Sequence, residues 1–147
     1  TFIMFSDDLD KALATFVLAN GAAATGQKVT IFFTFWGLNV IKKLHKPNVE
    51  KDIFGKMFGM MLPSSSRKLK LSKMSMGGIG GKMMRKGIDS LESLRQQALE
   101  NGVEFIACQM SMDVMGVKQE ELLDEVTIGG VATYMERADN ANINLFI

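Results

Sequence analysis

Cysteine occurs once in the 147 residues, at position 108, and histidine once, at position 45. A single cysteine excludes an internal disulfide, so the chain is not stapled for an oxidising compartment, and the cytoplasm is the default expectation. A thioredoxin-type site needs a second cysteine two residues away, and none exists. A cysteine-phosphatase loop needs an arginine six positions after the thiol to grip phosphate bidentately. That position is Val114, and no arginine lies between Arg95 and Arg137. Cysteine-protease chemistry needs a histidine base, but His45 falls in a basic segment where a solvated loop side chain is the plain reading. The glycine-rich "MGGIGGK" (76–82) fails as a phosphate loop, because Met76 takes the first glycine position and Met83 the Ser/Thr position. No group of His, Cys or carboxylate residues has metal-ligand spacing, so neither a metal nor a cofactor is expected. No apolar stretch approaches the roughly 20 residues that cross a bilayer. Asp7, Asp8 and Asp10 interrupt the apolar start, which argues against a signal peptide. The chain opens at Thr1 already inside an apolar run, so residues upstream of it are expected.

What is present is ordinary in amount and uneven in placement. Apolar residues make up 47% and charged residues 22%, the balance of a globular domain, and the length suits a single one with a substantial core. The net charge of +1 hides an asymmetry. Between Lys42 and Lys86 stand twelve Lys or Arg against only Glu50 and Asp52, leaving the remainder strongly acidic. Seven of the twelve methionines fall in the same stretch. So abrupt a change of composition marks residues 42–87 as a basic, Met-rich insertion into a single domain spanning 1–147. Three roles suit it: a mobile cover and docking surface, a segment lying on an anionic membrane, or a helical hairpin packed within an oligomer.

Outside the insertion, strands and helices alternate. "TFIMF" (1–5) reads as a strand, and Ser6 or Asp7 as the cap of a helix in which Leu9, Leu13, Phe16 and Val17 share a face ending near Gly26. "KVTIFFTF" (28–35), β-branched and aromatic, reads as a buried strand. "DSLE" (89–92) resembles a capping box for a helix that Gly102 ends. "VEFIA" (103–107) is a third strand. A short helix over 118–125, a strand over 126–128, a helix from Gly130 to Ala138 and a strand over 143–147 complete the pattern. Five apolar strands separated by helices predict an α/β, three-layer, flavodoxin-like domain with a five-stranded parallel sheet, its strands in flavodoxin-like order.

In such sheets chemistry gathers beyond the carboxyl ends of the strands. The exits are Asp7 and Asp8 after the first strand, Phe35, Trp36 and Gly37 after the second, and Cys108, Gln109, Met110 and Ser111 after the third. A turn near Ser111 to Met115 would direct backbone N–H groups at Cys108 and favour a thiolate over a thiol. The competing reading is that Cys108 simply packs, as most free cysteines do, and position alone leaves both open. Phe35 and Trp36 serve equally as core, Ser111 as a helix cap, and Asp7 and Asp8 as helix-start residues.

"FSDDLDKALA", "TIFFTFWGL" and "IACQMSMDVMG" together resemble the DsrE/DsrF/DsrH-like proteins, in particular the larger DsrE-like branch often labelled "peroxiredoxin family". The resemblance spans nearly the whole chain and implies a five-stranded parallel domain that assembles into oligomers, here a homo-oligomer of three or more subunits. Relatives carry sulfur as a persulfide on a cysteine, and Cys108 matches that cysteine by position. The resemblance therefore implies a sulfur carrier or sulfurtransferase working between donor and acceptor proteins or small thiols, with no direct nucleic-acid binding. The insertion departs from the compact members. A non-catalytic module that binds a partner or a membrane surface through that insertion is the alternative.

Overall fold

The computed structural model describes residues 1–43, 57 and 90–147. In chain order they form β1 (Phe2–Met4), α1 (Leu9–Ala24), β2 (Thr30–Phe33), a 3-10 segment (Phe35–Ile41), α2 (Leu91–Glu100), β3 (Glu104–Cys108), α3 (Gln109–Met115), a 3-10 turn (Gln119–Glu121), β4 (Thr127–Gly129), α4 (Val131–Asp139) and β5 (Leu145–Phe146). The five strands pair in parallel throughout, in the order β4-β3-β2-β1-β5. The three-layer, flavodoxin-like class with an all-parallel sheet is the one expected from the sequence. Its strand order is not the 2-1-3-4-5 of flavodoxin itself. β1, β2, β3 and β4 step in one direction, and the chain then returns across the sheet to β5.

That order decides which face each helix covers. Right-handed crossovers from β1 to β2 and from β2 to β3 put α1 and α2 on one face, and the return to β5 puts α4 on the other. The strands alternate accordingly. Phe2, Met4, Ile31, Phe33, Phe105 and Ala107 join Phe16, Leu94 and Ala98 in the larger core, whereas Phe32, Ile106 and Cys108 join Tyr134 in a small second one. The large core centres on three rings, with Phe16 at 5.7 Å from Phe105 and Phe33 at 5.4 Å from Phe105. Burying rings of this size stabilises the fold by about 1.5–3 kcal/mol each.

Helix ends follow local chemistry, with two shifts from expectation. α1 begins after Asp8 rather than after Ser6 or Asp7, and the Ser6 hydroxyl accepts the Asp8 backbone N–H at 3.1 Å. α2 is capped one residue later than the expected box, by Ser90, whose hydroxyl accepts the Ser93 N–H at 3.1 Å. Both helices end as read: Gly26 and Gly102 take positive φ, and their N–H groups close onto the carbonyls of Ala23 and Leu99.

The helix expected over 118–125 is only the turn Gln119–Glu121. Tertiary pairing overrides its helical pattern. Lys42 and Leu122 form an antiparallel bridge, the Leu123 N–H donates to the Ile41 carbonyl at 3.0 Å, and the Lys43 N–H donates to the Glu121 carbonyl at 2.8 Å. The Lys43 ammonium adds an ion pair to Asp124 at 2.7 Å. Apart from Lys42, Lys43 and Met57, the insertion proposed for 42–87, including His45 and the glycine-rich stretch, lies outside the described residues. Its first residues are held from α2 by buried Arg95, whose guanidinium donates to the carbonyls of Val40 at 2.8 Å and Lys42 at 3.3 Å. Burial pulls the Arg95 pKa down, against the pull of Glu92 and Glu125.

Candidate functional site

β3 runs one residue further than the sequence pattern indicates, so Cys108 is its last residue and also the residue that opens α3. The strand's alternation turns this side chain onto the α4 face. Cys108 is 1% exposed and shares its apolar cluster with Phe32, Ile106 and Tyr134, with Ile3 and Ala138 at the margin. The thiol thus sits at the strand exit by backbone position but is closed off from solvent. Its register partner on β4 is Gly129. A Cβ at Gly129 would stand 2.9 Å from Ile106 Cγ2 and 3.2 Å from Thr133, so α4 lies close against the sheet there.

α3 starts without a side-chain cap, which removes the capping role weighed for Ser111. Instead the Ser111 hydroxyl pairs with that of Thr34 at 2.8 Å, both buried, and ties the end of β2 to the first turn of α3. Gln109 is exposed, and its amide donates to Asp113 at 2.9 Å. Met110 and Val114, one helical turn apart, face solvent.

The second strand exit is tightly built. Phe35 is the one non-glycine with positive φ among the described residues, at 46°, a conformation that surrounding structure must enforce. Gly37 supplies part of that enforcement. A Cβ there would lie 2.0 Å from the Met4 carbonyl oxygen, and the Gly37 N–H donates to the carbonyls of Phe5 at 2.8 Å and Thr34 at 3.0 Å. Phe35 and Trp36 join Phe5 and Phe146 in a second aromatic group, with centroids 5.4 to 6.1 Å apart. The expected pocket residues therefore fall into two sets on neighbouring strands: Cys108 beneath α4, and Phe35 with Trp36 on the β1 and β5 side.

Asp7 and Asp8 serve the first exit. Asp7 accepts from the buried Asn39 amide at 2.9 Å, and Asp8 pairs with Lys11 at 2.9 Å, raising the Lys11 pKa. Among the described residues, no three His, Cys, Asp or Glu side chains come together as a metal site, and no helix is long and apolar enough to cross a membrane.

The residues around the thiol that sequence reading missed are Phe32, Gly129 and Tyr134, and at the far end of the same strand it missed the pair Glu104–Arg137. The Arg137 guanidinium grips the Glu104 carboxylate through Nε at 3.0 Å and through a second nitrogen at 3.2 Å, while Thr30 donates to the same carboxylate at 2.9 Å. Arg137, and then Thr30, hold the Glu104 carboxyl below its usual range against the opposing effect of burial. Glu104 in turn raises the Arg137 pKa. This pair borders a cavity of about 550 Å³ at the opposite, amino-terminal edge of the sheet, lined also by Lys28, Thr30 and Asn140. Spacing held a weak signal, since Tyr134 and Arg137 are three apart on one helical face.

Comparison with known proteins places the chain among related sequences and folds. Residues 1–146 match the model of the DsrE/DsrF/DrsH-like family. The chain is 43% identical over 152 residues to the uncharacterized protein YrkE of Bacillus subtilis, covering all of this chain and 95% of that one. It is 39% identical over 148 residues to the sulfur carrier protein DsrE2 of Allochromatium vinosum, covering 95% and 91%. Among solved structures, the ychN protein from E. coli superimposes with a TM-score of 0.57 at 11% identity, over 100% of this chain and 98% of that one, a likeness of fold.

Proposed function

The chain belongs to the DsrE/DsrF/DrsH-like family, and on that premise we propose that it is a sulfur carrier whose working group is Cys108. The observation that carries this reading is the placement of the chain's single thiol. It is the last residue of β3 and opens α3, at the carboxyl edge where parallel α/β sheets do their chemistry. The relative named a sulfur carrier protein supports the same role.

The chemistry needs one sulfur atom on the protein. The Cys108 thiolate attacks the outer, sulfane sulfur of a donor persulfide. A new S–S bond forms to Cys108, the donor's S–S bond breaks, and the donor leaves as a thiolate that takes up the proton Cys108 released. Delivery is the same displacement in reverse, with an acceptor thiolate attacking the outer sulfur and the Cys108 thiolate leaving. The exchange involves no net oxidation, so it requires no metal or redox cofactor. Donor and acceptor are proteins or small thiols, and the carrier works as a homo-oligomer of three or more subunits.

A second reading has its own observation. Cys108 is 1% exposed within an apolar cluster, as a packing cysteine would be, in which case the chain is a non-catalytic interaction module. Intact mass after incubation with polysulfide separates the two. A gain of about 32 Da, one sulfur atom, that is absent from Cys108→Ser supports the carrier, since only the thiolate accepts sulfane sulfur. No adduct with polysulfide or thiosulfate leaves the interaction module.

A further inference from the structure

A carrier thiol has to meet the sulfur of another molecule, yet Cys108 is closed off within the cluster of Phe32, Ile106 and Tyr134. A persulfide adds one more sulfur to that same space. Something in the fold must move for either step, and the two faces of the sheet differ in how firmly they are covered. On the opposite face, α1 buries Ala12, Leu13, Thr15, Phe16 and Ala19, and α2 buries Leu91, Leu94, Arg95 and Ala98. On the Cys108 face the one helix among the described residues is α4, and Tyr134 is its only buried residue. Val131 and Met135 of the same helix are each 56% exposed.

From this asymmetry we infer that α4 is a displaceable cover over Cys108, hinged at Gly129–Gly130 and latched by the Glu104–Arg137 ion pair. The inference deepens the carrier reading and rests on it for its purpose. Each part has its own footing. Displacement uncovers Tyr134 and, on the sheet, Phe32, Ile106 and Cys108, a far smaller set than the larger core on the other face, so the opening costs less than unfolding the sheet. Two consecutive glycines join β4 to α4, and Gly130, at the helix start, has open space around its Cα, so the backbone there can rotate without a side chain to collide. At the far end of the helix, Arg137 is tied by two hydrogen bonds to Glu104, the first residue of the strand whose last residue is Cys108. The remaining polar ties of the helix are light: the Tyr134 hydroxyl to that of Thr1 at 3.2 Å, and the Asn144 amide to the Ala138 carbonyl at 3.2 Å. The latch is also reachable. Glu104 and Arg137 are each more than a third exposed and border the open cavity at the sheet's amino-terminal edge. An anionic or cationic group of a docking partner can therefore compete for either member of the pair.

The test is the alkylation rate of the one cysteine in the full chain, followed by intact mass with iodoacetamide at increasing urea below the unfolding midpoint. A local opening exposes little surface, so the wild-type rate should depend only weakly on urea, whereas a thiol reached through global unfolding follows the full denaturant slope. Arg137→Ala and Glu104→Gln should each raise the rate about two- to fivefold, as suits a partly exposed ion pair, with little change in that weak urea dependence. Gly129→Ala, whose methyl meets Ile106 and Thr133, should also raise it by lifting the helix. Leu94→Ala, on the opposite face, serves as the control that lowers global stability without touching the cover. A wild-type rate that tracks global unfolding would overturn the inference even if every variant failed to fold. So would latch variants that label no faster than the wild type, or no faster than Leu94→Ala at equal stability. Because alkylation needs no sulfur donor, a thiol that opens but never gains sulfur would refute the carrier reading while leaving the cover standing. A thiol that gains sulfur with steep urea dependence would do the reverse.

Discussion

The hydroxyls of Thr34 and Ser111 meet at 2.8 Å in the interior and join the end of β2 to the helix that Cys108 opens. Ser111 is fully buried and Thr34 nearly so, and the hydrogen bond between them satisfies both hydroxyls. Ser111→Ala should leave the Thr34 hydroxyl unsatisfied and lower stability by about 1–3 kcal/mol. The double variant Thr34→Val with Ser111→Ala should cost less than the sum of the two single changes, because no orphan remains. Urea unfolding of all four chains measures this, and strict additivity would mean the bond contributes nothing specific.

Gly37 cannot accept a side chain. Its Cβ position lies 2.0 Å from a backbone oxygen of β1, which cannot step aside as a flexible side chain would. Gly37→Ala should therefore lower stability by more than about 3 kcal/mol, or prevent folding, through strain at the β1–β2 junction. Gly130→Ala, with nothing near its Cα, should be close to neutral by comparison. Thermal unfolding of the two variants makes the comparison.

The Glu104–Arg137 pair has a defined pH signature. The folded Glu104 carboxyl has a depressed pKa, so its contribution is fully present above the unfolded value of about 4.3 and is lost as pH falls through the lower folded value. Wild type should thus exceed Glu104→Gln in stability by a constant margin at neutral pH, and that margin should shrink as pH is lowered below about 4. Both partners are more than a third exposed, so the margin will be small and reduced by salt. Urea midpoints across a pH series report it, and a margin that grew on acidification would contradict the assignment.

Assembly is open to a direct measurement. Phe146 is 68% exposed on the edge strand, beside Phe5 and within reach of Trp36 through it. Large apolar side chains exposed together mark contact surfaces. Light scattering should give a mass of three or more subunits at micromolar concentration, and Phe146→Lys should shift it downward. A monomer in both chains would remove this edge as a subunit contact.

Much of this was legible because the strands are written in strongly apolar, β-branched and aromatic residues whose environment leaves little choice. "TIFF" cannot be solvated, and glycines at 26 and 102 stop their helices by local backbone geometry alone. What escaped was decided at a distance. The 3-10 segment from Phe35 to Ile41 follows from the contact between Gly37 and Met4, residues 33 apart, which no local pattern records. The helical pattern at 118–125 lost to pairing with Ile41 to Lys43. For Cys108 the exit position was readable, but the face was not. Extending β3 by one residue turned the thiol toward α4, and strand ends are uncertain by about that much in any sequence.

Arg95 joins the carbonyls of Val40 and Lys42 to a helix that begins at Leu91, so the two ends of the stretch between Lys43 and Ser90 are held together by the domain itself. With its ends fixed in this way, the entropy of closing the intervening chain rises only with the logarithm of its length, by about 0.6 kcal/mol per doubling. A change in the length of the chain between residues 43 and 90 therefore adds only a small closing entropy. The two anchor points thus act as a socket whose spacing is set by Val40, Lys42 and Arg95 rather than by the chain that joins them.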